Sequence, residues 1–267
     1  MKKNKEKRTI VITGASSGIG KGLKEAFEKK GDKVISISID SGDYVCDVSD
    51  TNKLKEIFNE IGKENKIDML ITCAGYGISG AVELLSEEMA KKEFDVNFWG
   101  TVNSCKFAIP LMNKNSKLIM ISSATALFPV PFKAYYCSSK AAVSSFSQAL
   151  RMELSQTDIQ VTAICPGDIK TNFTKNRVKI YDTNSRYNDS IQLSTQPTEK
   201  TEKRRMSPEY AIRKIELICE KKKLKPQYIV GKQYKIFNFL KHVSSLSLQL
   251  KVLTKLFYKK SKKNPKK

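Results

Sequence analysis

Tyr136 and Lys140 are the pair of residues in this sequence whose types and spacing best suit proton transfer. They lie four apart in the stretch AYYCSSKAA, residues 134–142, so on a helix both would project from one face. A tyrosine beside a fixed ammonium group can donate a proton near neutral pH, because the cation lowers the pKa of the phenol. The same spacing recurs at Tyr210/Lys214, Tyr228/Lys232 and Tyr258/Lys262. Only the surroundings of a pair can therefore assign it a role.

Charge is distributed unevenly along the 267 residues, and its distribution bears on the partners of the protein. The net charge is +21, but residues 221–267 contain fifteen lysines and no acid, so residues 1–220 carry only about +6. Lysine outnumbers arginine about six to one, whereas readers of bases and phosphates favour arginine forks. We therefore expect no nucleic-acid partner.

Cysteine usage and hydropathy indicate the compartment. The six cysteines form no C-x-x-C pair and the chain has one histidine, His242, so we expect free thiols in a reducing cytoplasm and no metal site. No apolar run reaches about 18 residues, and Ile10–Ile12 is too short for a signal peptide. The sequence predicts a cytoplasmic protein without a transmembrane helix.

Apolar strands alternate with amphipathic helices along most of the chain. The predicted strands are 8–13, 34–39, 67–72, 117–122, 160–164 and 227–230. The predicted helices are 21–30, 54–61, 90–112, 134–154 and 207–220. This alternation predicts an α/β fold in which helices cover both faces of a doubly wound parallel sheet within a single domain. Ligands of such folds bind beyond the carboxyl ends of the strands.

Residues suited to ligand binding follow one predicted strand after another. The first strand leads into TGASSGIG, residues 13–20, whose glycines allow a tight turn and a helix that opens on a phosphate. Later strands lead into CDV (46–48), CAG (73–75), SSA (122–124) and PGDIKT (166–171). Asp47 could accept a hydrogen bond from an adenine amino group, and Asp50 is the better N-cap of the two acids.

The joint order and spacing of TGASSGIG, CAG, DVNFWGT, ISS, YCSSK and PG resemble the short-chain dehydrogenase/reductase family of the compact single-domain type. The resemblance covers residues 8–175, with a weaker match to about 231. It implies a Rossmann-type catalytic domain over 8–231, with a substrate lid at 172–206, acting as an NAD(P)-dependent oxidoreductase on a CH–OH/C=O pair. It also implies a homo-oligomer, either a dimer or a tetramer.

The resemblance implies four catalytic residues. Tyr136 would be the acid/base, Lys140 its partner and a ligand of the nicotinamide ribose, and Ser123 the hydrogen-bond partner of the substrate oxygen. Asn97 would support a helix irregularity and a water chain to Lys140. Ser123 could instead cap a turn, and Asn97 could be an ordinary helix-terminal amide. Ser122 lies one residue out of register, so strand alternation points it elsewhere.

The cofactor site implied by the resemblance contains backbone and side-chain groups from several strand ends. Its residues are Gly14, Ser16, Ser17, Gly18, Ile19, Gly20, Asp47, Val48, Ala74, Gly75, Pro166, Gly167, Ile169 and Thr171, together with Tyr136 and Lys140. Thr171 matches the residue that binds the carboxamide, although it could also be an N-cap.

Two departures from the family pattern affect the expected cofactor. Cys73 replaces the usual asparagine, so we expect altered local stability without loss of catalysis. The stretch Asp40–Tyr44 is too short for a helix, which opens the 2′ side of the adenosine ribose. Ser38 stands where NAD-type members carry an acid, so we expect a slight preference for NADP(H) over NAD(H). Asp40 could restore a preference for NAD(H).

The residues expected around the substrate are apolar. Residues 124–132, Tyr135 and Phe173 would wall a pocket for a lipophilic secondary alcohol or its carbonyl, as in the hydroxysteroid and retinol dehydrogenase and acyl-chain reductase branches. Two alternatives remain open. The chain could be a non-catalytic, cofactor-binding sensor or scaffold, or it could act on a small polar carbonyl.

Residues 232–267 form a basic, amphipathic C-terminal tail with a helical period. Its apolar positions are Ile236, Leu240, Val243, Leu246, Leu250, Leu253 and Phe257, with lysines between and after them. Such a helix could pack on the domain or on a subunit partner. Alternatively, it could lie on an anionic membrane, at the inner surface of the cell membrane.

Overall fold

A seven-stranded parallel sheet forms the centre of the fold in the computed structural model, which describes residues 7–171, 173, 176–182, 186–187, 189–196 and 205–259. The strands are β1 (Thr9–Thr13), β2 (Lys33–Ser38), β3 (Tyr44–Val45), β4 (Ile67–Thr72), β5 (Ile78–Ser79), β6 (Met112–Ile121), β7 (Gln160–Pro166), β8 (Val178–Lys179) and β9 (Gln227–Val230). The sheet order is β3-β2-β1-β4-β6-β7-β9. The chain adds strands to one side of β1 up to β3 and then to the other side from β4 onward, so the switch point lies between β1 and β4. The predicted doubly wound α/β fold is confirmed.

Helices cover both faces of this sheet. They are α1 (Gly18–Glu28), α2 (Thr51–Glu64), α3 (Glu87–Phe94), α4 (Gly100–Ala108), α5 (Ala134–Glu153), α6 (Ser190–Thr195), α7 (Pro208–Cys219), α8 (Lys232–Val243) and α9 (Leu246–Phe257). Asp50 accepts a hydrogen bond from Lys53 N and caps α2, and Ser207 caps α7 in the same way, as the sequence predicts. None of the described helices is long and apolar enough to cross a bilayer.

Alternation along the strands divides the core into two apolar layers. In β1, Val11 packs with Phe58 of α2 and Val143 of α5 on one face. Ile10 and Ile12 point to the other face and belong to the layer that contains α1 and α7. Because both faces are buried, the strands are apolar at nearly every position.

The region predicted as one helix over 90–112 is divided. After α3, residues Asp95–Trp99 form a π-helical turn, and α4 then continues to Ala108. A 3-10 turn, Ile109–Leu111, leads directly into β6, which begins at Met112 rather than at 117. The register between β4 and β6 shifts in this early part, so an irregular entry precedes the regular pairing from Lys117 onward.

The C-terminal segment also differs from one continuous helix. Ser244 and Ser245 separate α8 from α9, and the Ser245 side chain caps α9 by accepting from Leu248 N. Parts of the predicted lid, including residues 197–204, and residues 260–267 of the predicted tail lie outside the described residues. A small second sheet pairs β8 of the lid region with β5, which follows β4 in the chain.

Two glycines in left-handed conformations provide a test of the turn after β1. Gly14 has φ +70° and a Cβ there would lie 2.6 Å from Ala74 Cα, whereas Gly31 has φ +84° and open space around it. Gly31→Ala should lower the free energy of unfolding by about 1–2 kcal/mol, the cost of the conformation alone. Gly14→Ala should cost roughly 1–3 kcal/mol more, because the backbones must also separate. Urea denaturation measures both, and equal losses would contradict the steric argument.

Candidate active site

A cavity of about 510 Å³ lies beyond the carboxyl ends of the central strands. Predicted site residues that line it are Gly14, Ser16, Ser17, Gly18, Ile19, Asp47, Val48, Ala74, Gly75, Ser123, Tyr136, Lys140, Pro166, Gly167, Ile169 and Thr171. Two predicted residues do not line it. Gly20 packs in the turn below, where a Cβ would lie 2.2 Å from Gly14 O, and Asn97 is buried behind the wall.

The glycine loop after β1 presents backbone to the cavity. Gly14 N donates to Ile37 O of β2 at 2.8 Å, which holds the start of the loop against the sheet. Ser17 is the N-cap of α1 but its side chain makes no capping bond, and a Cβ at Gly18 would meet nothing within 4 Å. The start of α1 thus borders the cavity without a side-chain cap, an arrangement that fits a phosphate group.

The loop after β2 is short and fixed by its own acids. Asp43 accepts from Ser36 N and Ser36 Oγ at 2.8 and 2.6 Å, and Gly42 has φ +130°, so β3 pairs with β2 without an intervening helix. Ser38 Oγ accepts from Ser16 N at 3.0 Å. A hydrogen bond from the Ser16 side chain lowers the pKa of the exposed Asp40, which lies outside the cavity wall.

Asp47 and Gly75 mark the next two strand ends. Asp47 Oδ1 accepts from Ser49 N and Ser49 Oγ at 3.0 and 2.7 Å, which fixes the carboxylate in the wall of the cavity. Cys73 N donates to Thr13 O at 3.0 Å, so the backbone still links β4 to β1 where the family asparagine is replaced. The Thr72 hydroxyl beside it is buried and has no hydrogen-bond partner among the described residues.

Tyr136 lies near the start of α5 with its ring buried against the cavity. Burial raises its pKa to about 12, while the charge of Arg177 and a hydrogen bond with the Ser123 side chain act in the opposite direction. This corrects the expectation of a net lowered pKa for this phenol, because loss of hydration outweighs the nearby positive charges. Tyr136 is therefore protonated at neutral pH.

The Ser123 side chain makes hydrogen bonds both within its own turn and with Tyr136. Its Oγ accepts from Thr125 N and Thr125 Oγ1 at 3.2 and 2.9 Å and so caps the short turn Ala124–Ala126. The same side chain forms the hydrogen bond with Tyr136. The turn cap, one of the two interpretations of the sequence, is therefore present, and the hydrogen bond of Ser123 to the substrate oxygen stays a prediction.

Lys140 is a buried ammonium one turn after Tyr136. Its Nζ donates to Ile121 O at the end of β6, 3.0 Å away, and burial lowers its pKa to about 8. Ser122 borders the cavity, but its hydroxyl is directed to α5, where its Oγ donates to Lys140 O at 2.8 Å. It also lies 2.8 Å from Ser144 Oγ, so this serine anchors α5 to β6.

Asn97 sits in the π-helical turn and is fully buried. Its Oδ1 accepts from Tyr76 N at 2.8 Å, and its Nδ2 donates to Tyr76 O and to Ser139 Oγ at 2.9 and 3.0 Å. The asparagine therefore joins the loop after β4 to α5. A Cβ on Gly75 would lie 3.4 Å from Asn97 Oδ1 and 3.7 Å from Lys140 Nζ, so both side chains approach the same backbone.

The loop after β7 is covered by the C-terminal segment. A Cβ at Gly167 would lie 1.8 Å from the Tyr234 ring, and Asp168 N donates to Tyr234 Oη at 3.1 Å. Tyr234 belongs to α8, which thereby packs on the Pro166–Gly167 turn. The periodic pattern of the tail did not indicate this contact, since Tyr234 precedes its apolar positions.

The apolar part of the wall comes from the lid region and the C-terminal helices as well as from the predicted loop. Its larger side chains are Phe128, Val130, Phe173, Phe237, Leu253 and Phe257. Tyr135 is absent from the wall, contrary to prediction, because the turn of α5 that directs Tyr136 inward directs its neighbour away. Phe132 is also absent and packs instead with Tyr187 and Tyr258.

Two cations at the substrate end were not predicted. Arg177 and Lys133 both line the cavity. Arg177 lies in a polar stretch without periodicity, and Lys133 precedes a helix start, so neither carries a sequence signal.

Comparisons with known proteins agree with this arrangement. The sequence model of the family described as short chain dehydrogenase matches residues 8–182. The chain is 35% identical over 211 residues to a 3-ketodihydrosphingosine reductase of Bacteroides thetaiotaomicron, covering 74% of this chain and 78% of that protein. It is 35% identical over 193 residues to 11-beta-hydroxysteroid dehydrogenase-like 2 of Arabidopsis thaliana, covering 64% and 62%.

A solved structure shows the same fold. The short-chain dehydrogenase from Burkholderia cenocepacia in complex with NADP superposes with a TM-score of 0.75 at 22% identity, covering 92% of this chain and 98% of that one. With the family match, these relationships establish that the chain belongs to the short-chain dehydrogenase/reductase family and is an NAD(P)-dependent oxidoreductase.

Proposed function

We propose that the protein interconverts a lipophilic secondary alcohol and its carbonyl, with Tyr136 as the acid/base and NADP(H) as the preferred cofactor. The observation that carries the proposal is the cavity itself, in which the buried Tyr136 and Ser123 hydroxyls meet a wall of aromatic and aliphatic side chains. An apolar wall with few polar groups suits a lipophilic ligand whose oxygen is held at one point. The names of the two relatives are in keeping with such substrates.

In this proposal the chain's own residues handle the proton. The nicotinamide supplies or accepts the hydride when the cofactor is bound. In the reducing direction, Tyr136 Oη donates its proton to the substrate oxygen as negative charge develops there. Ser123 Oγ is positioned for a second hydrogen bond to that oxygen, and the Lys140 ammonium stabilises the phenolate that remains on Tyr136. Asn97, with Ser139, fixes the part of α5 that contains these residues.

Two features support a preference for NADP(H). Ser38, at the end of β2, is neutral and lines the cavity, so no carboxylate there repels a 2′-phosphate. One structural relative is a complex with NADP. Asp40 is the competing feature, because it lies two residues further on and bonds the Ser16 side chain.

We also propose that the protein contacts an anionic membrane through α8 and α9, at the inner surface of the cell membrane. One side of these helices closes the cavity, and the other leaves a row of apolar side chains exposed: Ile236, Phe239, Leu240, Val243, Leu246, Leu248, Leu250, Val252 and Leu256. The charged side chains of these helices are all basic, since no acid follows Glu220 in the sequence. Exposed apolar side chains flanked by lysines suit an anionic lipid surface.

Replacing the proposed acid/base tests the chemistry directly. Tyr136→Phe should lower kcat by roughly a hundredfold or more while leaving cofactor binding intact, because only the transferable proton is lost. Tyr135→Phe is the matched control and should retain the wild-type rate. The assay is a panel of steroid, retinoid, acyl-chain and small polar carbonyls followed at the nicotinamide absorbance. Wild-type turnover by Tyr136→Phe, or turnover of small polar carbonyls alone, would contradict the proposal.

Titration of NADPH and of NADH into the protein, monitored by nicotinamide fluorescence, measures the cofactor preference. NADPH should bind more tightly. Asp40→Ala should weaken NADH binding by roughly two- to fivefold and leave NADPH binding unchanged or stronger, because an exposed carboxylate acts through solvent. Glu56→Ala, at an exposed position on α2, controls for net charge. Tighter binding of NADH by the wild type would overturn the preference.

Liposome co-sedimentation tests the membrane contact. The intact chain should pellet with phosphatidylglycerol vesicles, pellet less at high salt, and remain free with phosphatidylcholine. Phe239→Asp with Val243→Asp should release it, whereas Met152→Asp, at an equally exposed apolar position on α5, should not. Unchanged pelleting of the double variant would refute the contact. Conversion of an oligomer to a monomer without any effect on pelleting would identify the face as a subunit contact.

A further inference from the structure

Arg177 occupies an unusual position beside the reacting tyrosine. Its guanidinium carbon lies 5.6 Å from the centroid of the Tyr136 ring and 5.5 Å from that of Phe173. The two rings are themselves 5.7 Å apart, so the three groups form a compact cluster in the wall of the cavity. A guanidinium that contacts aromatic rings in this way keeps its N–H groups available in the plane of the fork.

The hydrogen-bonding capacity of Arg177 is not used up by its described neighbours. Its Nε is buried and has no hydrogen-bond partner among the described residues. Gly77 lies against it, since a Cβ there would come within 3.2 Å of that nitrogen. A buried charged donor without an acceptor is costly, so an arginine held in this way gains from an acceptor supplied by a ligand.

A second cation reinforces the positive potential. Lys133, at the N-cap of α5, also lines the cavity. Burial lowers its pKa to about 8, the charge of Arg177 lowers it further, and Asp168 acts in the opposite direction. An anion bound in this part of the cavity would be attracted by both cations, which line the same wall.

Two acids lie near this cluster, Asp168 in the cavity wall and Glu93 behind it, and Glu93 balances the charge only in part. Glu93 is completely buried and accepts from Ile78 N at 3.0 Å through Oε1, while Oε2 has no partner among the described residues. Burial raises the pKa of Glu93 to about 7, against the hydrogen bond from Ile78 and the charges of Arg177 and Lys140. A carboxyl group that is only partly ionised at neutral pH cannot cancel a permanently charged guanidinium.

We propose that Arg177 binds an oxyanion of the substrate, so that the natural substrate is a lipophilic oxo or hydroxy compound with a carboxylate near the reacting carbon. This assignment rests on the proposed function, because it names the substrate class of the same cavity. The apolar wall accommodates the hydrocarbon part, and Tyr136 and Ser123 hold the reacting oxygen. The guanidinium group donates paired N–H hydrogen bonds to the carboxylate. A phosphate or sulfate ester shares this chemistry, and the experiment separates it from a carboxylate.

The first experiment measures binding without turnover. Decanoate, decyl phosphate and decan-1-ol are titrated into the intact protein with NADPH present, by calorimetry. The wild type should bind decanoate about tenfold or more tightly than decan-1-ol. Arg177→Gln should remove this preference without changing the affinity for decan-1-ol, and Arg177→Lys should restore part of it. Arg186→Gln is the matched control, because Arg186 lies in the same region but pairs with Glu83 outside the cavity wall.

The outcomes separate the possibilities. Equal affinities of the wild type for decanoate and decan-1-ol, or a decanoate preference that survives Arg177→Gln, would overturn the inference. A weaker affinity of Arg177→Gln for NADPH, with decanoate unaffected, would assign the arginine to the cofactor and also overturn it. Tighter binding of decyl phosphate than of decanoate would overturn the assignment of a carboxylate and would indicate a phosphate ester on the substrate. Thermal melts identify any variant that fails to fold, in which case Arg177→Lys provides the comparison.

A turnover experiment keeps this inference distinct from the proposed function. A 4-oxo fatty acid and its methyl ester are compared as substrates of the wild type and of Arg177→Gln. The inference is supported if the wild type has a kcat/KM about tenfold higher for the acid than for the ester, and if in Arg177→Gln the kcat/KM for the acid falls to the value for the ester. Equal rates for both compounds would leave the dehydrogenase function standing and remove the role of Arg177. Lack of turnover of every lipophilic carbonyl, with the decanoate preference retained, would refute the proposed function while supporting the anion site.

Discussion

The burial of the Lys140 ammonium is the constraint on which much of the surrounding structure depends. A charge removed from water is costly unless it is hydrogen-bonded, and here the nearest described acceptor is the carbonyl of Ile121 at the end of β6. The position of α5 relative to β6 must therefore be maintained closely. Ser122 does this from the strand, by donating to Lys140 O, and Asn97 does it from the π-helical turn through Ser139. Burial lowers the pKa of Lys140 to about 8, so the helix retains a charge that destabilises the fold near neutral pH.

Close backbone approach is the second constraint at the same edge of the sheet. Gly14 meets the backbone of Ala74, and Gly167 meets the ring of Tyr234. These contacts bring three strand ends and the C-terminal segment around one cavity without filling it with side chains. The apolar space that results is closed by Phe237 and Phe257, which belong to α8 and α9 and are thus far from Tyr136 in the sequence.

Sequence reasoning predicted the features that depend on local pattern and failed where tertiary contacts decide. Most strand positions, the glycine turn and the different directions of the Ser122 and Ser123 hydroxyls follow from apolar alternation and from register. The apolar period alone did not indicate the interruption of the helix over 90–112, because that period continues through the π-helical turn. Only the family resemblance implied an irregularity there, at Asn97. The pKa of Tyr136 was misjudged for a related reason, since burial cannot be read from the spacing of two residues. Arg177 lies in a stretch whose pattern carries no structural information at all.

The C-terminal helices connect the chemistry of the cavity to the outer surface of the protein. Leu253 and Phe257 of α9 line the cavity, whereas Leu246 and Leu250 of the same helix are exposed. Lys241 Nζ donates to Leu127 O, and Lys259 N, just after α9, donates to Ser194 Oγ of α6, so hydrogen bonds also tie the C-terminal segment to the rest of the domain. A surface that covers the exposed side of α8 and α9 would therefore act on the position of the cavity wall. Access of a lipophilic substrate and attachment of these helices are consequently coupled by the same two segments of chain.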